Sequence, residues 1–184
     1  MSAGMLIDRD DAVLVIVDVQ ERLFPHIDRG DAVAANIVRL LQFADIVDLP
    51  VILTEQTKLG PTISPILAEL PEAEPIGKLD FSCFGSEEFR GAVRELRRRT
   101  LILVGIEAHI CVAQTAMGAL PDYRVQIVDD AVASRSPADR AIGVERMRQA
   151  GCTITSTEML MYEILQRAGT DEFRAVLKLV KEQT

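Results

Sequence analysis

Short unbroken apolar runs alternate along this chain with segments whose apolar positions recur every three or four residues. Val13, Leu14, Val15, Ile16 and Val17 form a β-branched run of the kind found in strands covered on both faces. Runs at 51–54, 101–104 and 124–128 predict three more strands. Weaker ones lie at 152–155 and at 74–78, where Pro75 points to a sheet edge. Between the first two strands, Val33, Ile37, Leu40, Leu41 and Ala44 keep helical spacing, with Asp31 as candidate cap and Pro50 as stop. Residues 64–70 form a short helix between Pro61 and Pro71. Ser86 caps a helix that carries Glu87 and Glu88 in its first turn, where carboxylates suit the dipole, and buries Phe89, Val93 and Leu96. Ser136 and Pro137 open another, closed by Gly151. A further helix at 157–167 ends by Gly169, and Thr170 caps the last one.

This alternation predicts an α/β fold of three layers, α/β/α, around a six-stranded, mostly parallel, Rossmann-like sheet. The 184 residues read as a single domain, 1–184, with no internal repeat, linker or low-complexity tract. Right-handed crossovers bring the loops that follow the strands to one end of the sheet. Asp18, Lys78 and Cys111 all fall in such loops.

Charge and cysteine usage narrow the function. The formal charge of −8 argues against nucleic acid as the main partner. The one basic run, Arg97, Arg98 and Arg99, is read as a solvated helix end. Three cysteines with no zinc-like spacing read as free thiols of a reducing, cytoplasmic protein. The first residues lack the apolar stretch of a signal peptide, and no window approaches a membrane span.

The stretch 101–118 carries the sharpest chemical signal. It runs from an apolar strand through Gly105 to a thiol, Cys111, placed at the mouth of a helix, where dipole and free N–H groups favour thiolate. An ordinary thiol still needs a base or a neighbouring cation to act as a nucleophile. Asp18, at the end of a central strand, can accept its proton; its bland role is to cap the following turn. Lys78 can stabilise the carboxylate, the thiolate or an anionic intermediate; its bland role is a solvated surface residue. The histidines, His26 and His109, are the alternative bases. His109 lies two residues before Cys111 in the turn itself and reads as a pocket or structural residue.

Three segments together resemble the isochorismatase-like cysteine hydrolases, a family that includes nicotinamidases and N-carbamoylsarcosine amidohydrolase. They are the strand ending in Val17, Asp18, Val19 and Gln20, the Lys78 loop before Phe84, and the stretch from Gly105 to Val112. The resemblance spans roughly Asp11 to Tyr162. It implies the sheet order 3-2-1-4-5-6, with Asp18 as general base and acid, Lys78 as its charged partner and Cys111 as nucleophile. It also implies a cis peptide between Ile106 and Glu107, and an oxyanion hole made by the Glu107 and Cys111 N–H groups. By position, Gln20, Phe24, Gln56, Phe84 and Ile110 are possible substrate-pocket residues, each equally suited to the core or to a supporting role.

The region after the second strand lacks the Asp-x-His and further His of metal-containing nicotinamidases. No metal and no cofactor are therefore expected, and Cys111 argues against the vinyl-ether chemistry of true isochorismatases. The wording of the second-strand and Cys111 segments is closer to the isochorismatase-domain-containing subgroup. The expected function is metal-independent cleavage of a C–N, amide-type bond in a small-molecule substrate by a homo-oligomer, dimer or tetramer. An interaction or scaffold protein that keeps the fold with a silent site is the alternative. Thiol redox work is a third reading, with Cys83 as a possible neighbour in space. Otherwise Cys83 and Cys152 are assigned to packing.

Overall fold

Six strands build one sheet in the computed structural model, which describes residues 6–181: β1 (Ala12–Val17), β2 (Val51–Gln56), β3 (Ile76–Lys78), β4 (Thr100–Ile106), β5 (Arg124–Ala133) and β6 (Thr153–Thr155). Their order is β3-β2-β1-β4-β5-β6, and every pairing is parallel. The two central strands, β1 and β4, are buried along their whole length, which is why their sequences are apolar without alternation.

Helices cover both faces. On one lie α1 (Gly30–Ile46), α2 (Ser64–Glu69), α6 (Thr157–Leu165) and α7 (Asp171–Lys181), packed on a cluster that includes Leu14, Ile16, Ile102 and Val104. On the other lie α3 (Glu87–Leu96), α4 (Ala113–Ala119) and α5 (Pro137–Ala150), packed on Val13, Val15, Leu101 and Leu103. Alternate residues of the same strands thus supply two separate cores. Ser86, Ser136 and Thr170 cap α3, α5 and α7 by accepting from Phe89 N, Asp139 N and Phe173 N.

Several boundaries differ from expectation, each for a local reason. Strand β5 continues past Val128 to Ala133, because a register shift against β4 between Leu103 and Gly105 lets Val132 and Ala133 pair with Gly105 and Ile106. Asp129 and Asp130 do not end the strand; Asp129 pairs with Arg140 at 2.9 Å, and Asp130 accepts from Thr157 N at 2.8 Å. Asp31 sits in the first turn of α1 rather than capping it, since Arg29, in the left-handed region, precedes the helix. Gln166, also left-handed, closes α6 before Gly169 is reached. Strand β2 runs on to Gln56, so that residue ends a strand instead of lying in a loop.

One glycine lets the site form. Gly105 lies opposite Val17 in the β1–β4 pairing and adopts φ of +120°. A Cβ there would stand 2.2 Å from the Val17 carbonyl oxygen, immediately before Asp18. Gly105→Ala is therefore expected to destabilise the fold by about 3 kcal/mol or more. Urea denaturation checks this; a midpoint equal to that of the wild type would show that the strands can part here at no cost.

Candidate active site

The carboxyl ends of β1, β3 and β4 converge on one buried cluster. Asp18 follows β1 directly, with φ of +54° and no solvent exposure. Its N–H donates to the Thr54 carbonyl of β2, and this turn swings the carboxylate under the end of the sheet. Lys78, the last residue of β3, is buried as well, and its Nζ lies 2.6 Å from Asp18 Oδ2. The other carboxylate oxygen, Oδ1, accepts from the Thr54 hydroxyl at 2.9 Å. The Lys78 ammonium also donates to Gln56 Oε1 at 2.8 Å and to the carbonyls of Asp80 and Phe81, each at 3.2 Å. Four acceptors thus surround an ammonium that has three hydrogens to give.

Cys111 lies in a single π-helical turn, Ala108–Val112, inserted between β4 and α4. Such turns are rare and recur at functional sites. The thiol is buried, within electrostatic reach of the Asp18 carboxylate. Burial, and after it the negative charge of Asp18, push the thiol up to about 12, against the opposing influence of Lys78. The expected helix-mouth activation is therefore outweighed, and the resting group is a thiol. Cys83 shares this pocket: its Sγ lies 3.8 Å from the Thr54 hydroxyl, and its N–H donates to Thr115 on α4. Burial first, then Asp18, push Cys83 up to about 11. Cys152 is likewise raised to about 11 by burial, and no charged group contributes there.

The segment leading into the π turn is held from β5. The Ile106–Glu107 peptide is cis. The Glu107 carboxylate accepts from Arg135 N at 3.0 Å and pairs with the Arg135 guanidinium. His109 turns the same way, with Nδ1 2.9 Å from the Ser134 hydroxyl and 3.4 Å from the Glu107 carboxylate. Its ring is thereby engaged with the end of β5, as a structural residue of the turn.

The five candidate pocket residues separate into different roles. Gln20 is buried and fully engaged in binding backbone: its Nε2 donates to the Gln56 and Gly60 carbonyls, and its Oε1 accepts from Gln56 N. Gln56 bridges the Lys78 ammonium and the Leu79 carbonyl. Phe84 packs edge-on against Phe89 at 5.2 Å, on the same face of the sheet as Cys111. Ile110 also packs on that face. Phe24 lies on the opposite face, where with Ile63 and Pro65 it lines a groove of about 620 Å³. Sequence reasoning missed Thr54 and Arg135. Thr54 left a signal, since it pairs with Val17 once the sheet order is known; Arg135 left none. Among the described residues no cluster of three or more His, Cys, Asp or Glu side chains is placed to hold a metal ion. No helix among them is long and apolar enough to cross a membrane.

A parallel sheet of this order, with its polar cluster at the carboxyl ends of the strands, defines an α/β protein of the isochorismatase-like hydrolase type. The Isochorismatase domain model matches residues 12–159, and the chain belongs to that family. It is 37% identical over 173 residues to isochorismatase domain-containing protein 2 of Danio rerio, covering 92% of this chain and 86% of that protein. It is similar to the MAR1 ribonuclease structure from Caenorhabditis elegans, at 32% identity and a TM-score of 0.89 over 96% of this chain and 92% of that one. YcaC from Pseudomonas aeruginosa, solved with hexane-2,5-diol and covalent acrylamide, is 25% identical with a TM-score of 0.89, covering 97% and 93% of the two chains.

A thiol held near 12 gains thiolate about tenfold per pH unit across the neutral and mildly alkaline range. Alkylation of Cys111 by iodoacetamide is expected to follow that slope from pH 7 to 10 without a plateau, read by mapping the modified peptide. Asp18→Asn removes the anion that holds the proton in place, so its Cys111 is expected to alkylate at least about threefold faster at pH 8. A plateau below pH 9 in the wild type would show that burial and Asp18 do not hold the thiol up.

Proposed function

We propose that the protein is a metal-independent cysteine hydrolase that cleaves a C–N bond of a small amide-type molecule through a thioester on Cys111. One observation carries this reading: a sealed Asp18–Lys78 ion pair beside the buried Cys111 thiol, whose proton the Asp18 charge helps to retain. Since the thiol is protonated at rest, attack on the carbonyl carbon and proton transfer to Asp18 proceed together. Asp18 then delivers that proton to the departing amine. Water attacks the thioester with Asp18 as base, and the acid leaves as the thiol re-forms.

The Glu107 and Cys111 N–H groups hold the oxyanion. The covalent acrylamide in the Pseudomonas aeruginosa neighbour supports a nucleophile in this fold, since acrylamide is an electrophile and itself a primary amide. The reaction takes place in the cytoplasm, within a dimer or tetramer of the chain.

The likeness to the MAR1 ribonuclease of Caenorhabditis elegans favours a second reading, hydrolysis of RNA. A formal charge of −8 opposes binding of a phosphodiester backbone. A thiol beside a carboxylate base is also suited to an acyl carbon rather than to phosphorus.

A panel of small neutral amides and a labelled RNA, assayed side by side, separate the two. Cys111→Ala and Asp18→Asn are each expected to lower kcat/KM toward any amide found by at least about a thousandfold, with the fold intact. Mass spectrometry of the quenched wild-type reaction is expected to show an acyl group on Cys111. Turnover retained by either variant removes this mechanism. A silent amide panel with Cys111 never acylated leaves a scaffold that keeps the fold.

A further inference from the structure

We propose that Gln56 is a positioning residue for the Cys111 chemistry: its carboxamide holds the Lys78 ammonium against Asp18 and so sets proton transfer between Asp18 and Cys111. The inference rests on the roles given above to Asp18, Lys78 and Cys111. Its own ground is the path of hydrogen bonds behind them. Lysine has a flexible stem, and an ammonium at the end of an edge strand needs fixing to stay on one carboxylate oxygen. Gln56 Oε1 accepts from Lys78 Nζ at 2.8 Å, while Gln56 Nε2 donates to the Leu79 carbonyl at 2.8 Å. One planar amide therefore fixes both the tip of Lys78 and the backbone just after it. The Gln56 backbone is fixed in turn, because its N–H and C=O are both bound by the Gln20 side chain, which reaches on to Gly60. Gln20 follows Asp18 by two residues, and its N–H donates to the Asp18 carbonyl at 2.9 Å. The chain of contacts closes on the backbone of Asp18 itself.

The charged and titratable groups at this point are Asp18 from the end of β1, Lys78 from β3, Cys83 from the following loop and Cys111 from the π turn. The neighbouring carboxylate of Glu55 is engaged elsewhere, accepting from Thr62 N and Oγ1 at 2.7 and 2.8 Å. Lys78 is the group that opposes burial and Asp18 at the Cys111 thiol. Loosening it, or placing a second carboxylate beside it, raises the barrier to losing the thiol proton.

The test is the pH profile of Cys111 alkylation by iodoacetamide in Gln56→Met, which removes both hydrogen bonds at similar volume, and in Gln56→Glu, which keeps an acceptor but adds charge. Both are expected to alkylate at least about tenfold more slowly at pH 8, with the profile displaced by at least about one unit to higher pH. Melting temperature and circular dichroism report folding separately. A purely structural role for Gln56 lowers the melting temperature and leaves the pH profile in place; that result overturns the proposal. A second measurement needs no variant: the ¹⁵N signal of the Lys78 ammonium in the wild type is expected to show slow hydrogen exchange, and fast exchange also overturns it. If wild-type Cys111 resists alkylation at every pH while Cys83 is labelled, the reading of the site itself fails, and this inference with it.

Discussion

The buried ion pair between Asp18 and Lys78 is the interaction on which the rest of this end of the molecule depends. Taking a carboxylate and an ammonium out of water costs several kcal/mol per ion, and their attraction repays it only where further hydrogen bonds complete both groups. Here they do. Thr54 completes the carboxylate; Gln56 and the carbonyls of Asp80 and Phe81 complete the ammonium. The completing groups come from the end of β2 and from the loop after β3, so the pair ties together three strand ends that the sheet alone leaves as loose loops. It also explains an odd surface. With the carbonyls of Asp80 and Phe81 turned in toward Lys78, the side chains of Leu79 and Phe81 are left in solvent.

The thiol beside this pair is governed by three competing influences of known direction. Burial and the Asp18 charge hold its proton on, and Lys78 favours releasing it. The first two win, which distinguishes this cysteine from one activated as a standing thiolate. A protonated nucleophile is quiet toward chance electrophiles, and under the proposed mechanism it gains reactivity when a bound group lets Asp18 take the proton in the same step. The raised thiol and the adjacent base are thus two aspects of one arrangement.

Much of the architecture is legible in the sequence, because β1 and β4 are apolar on both faces and can only be central strands of a parallel sheet. Asp18, Lys78 and Cys111 are legible for the same reason: each lies at, or within a few residues of, the end of a strand that the pattern marks, and those ends gather on one side of the sheet. What escapes is what depends on register. Thr54 becomes a partner of Asp18 only because it lies opposite Val17, a fact of pairing rather than of spacing. Arg135 reaches Glu107 only because β5 slips in register and runs five residues beyond its apolar core. The π turn escapes too, since the small residues around Cys111 suit an ordinary helix equally well. Gln20 and Gln56 look like ligand-binding amides in sequence, and it takes their hydrogen bonds to show that they brace the backbone and Lys78 instead.

The same geometry decides what Lys78 does not do. Its three hydrogens already face four acceptors, one of them an anion at 2.6 Å. Releasing one of them toward a reacting molecule would strip a buried carboxylate or an inward-facing carbonyl of its partner, at a cost comparable to the interaction gained. In the proposed mechanism Lys78 therefore acts through Asp18 rather than on a substrate. Any negative charge that develops on a substrate beside Cys111 must find its donors elsewhere. The backbone at the start of the π turn is the nearby source that the ion pair leaves untouched. The Arg135–Glu107 contact holds that backbone in place from the end of β5.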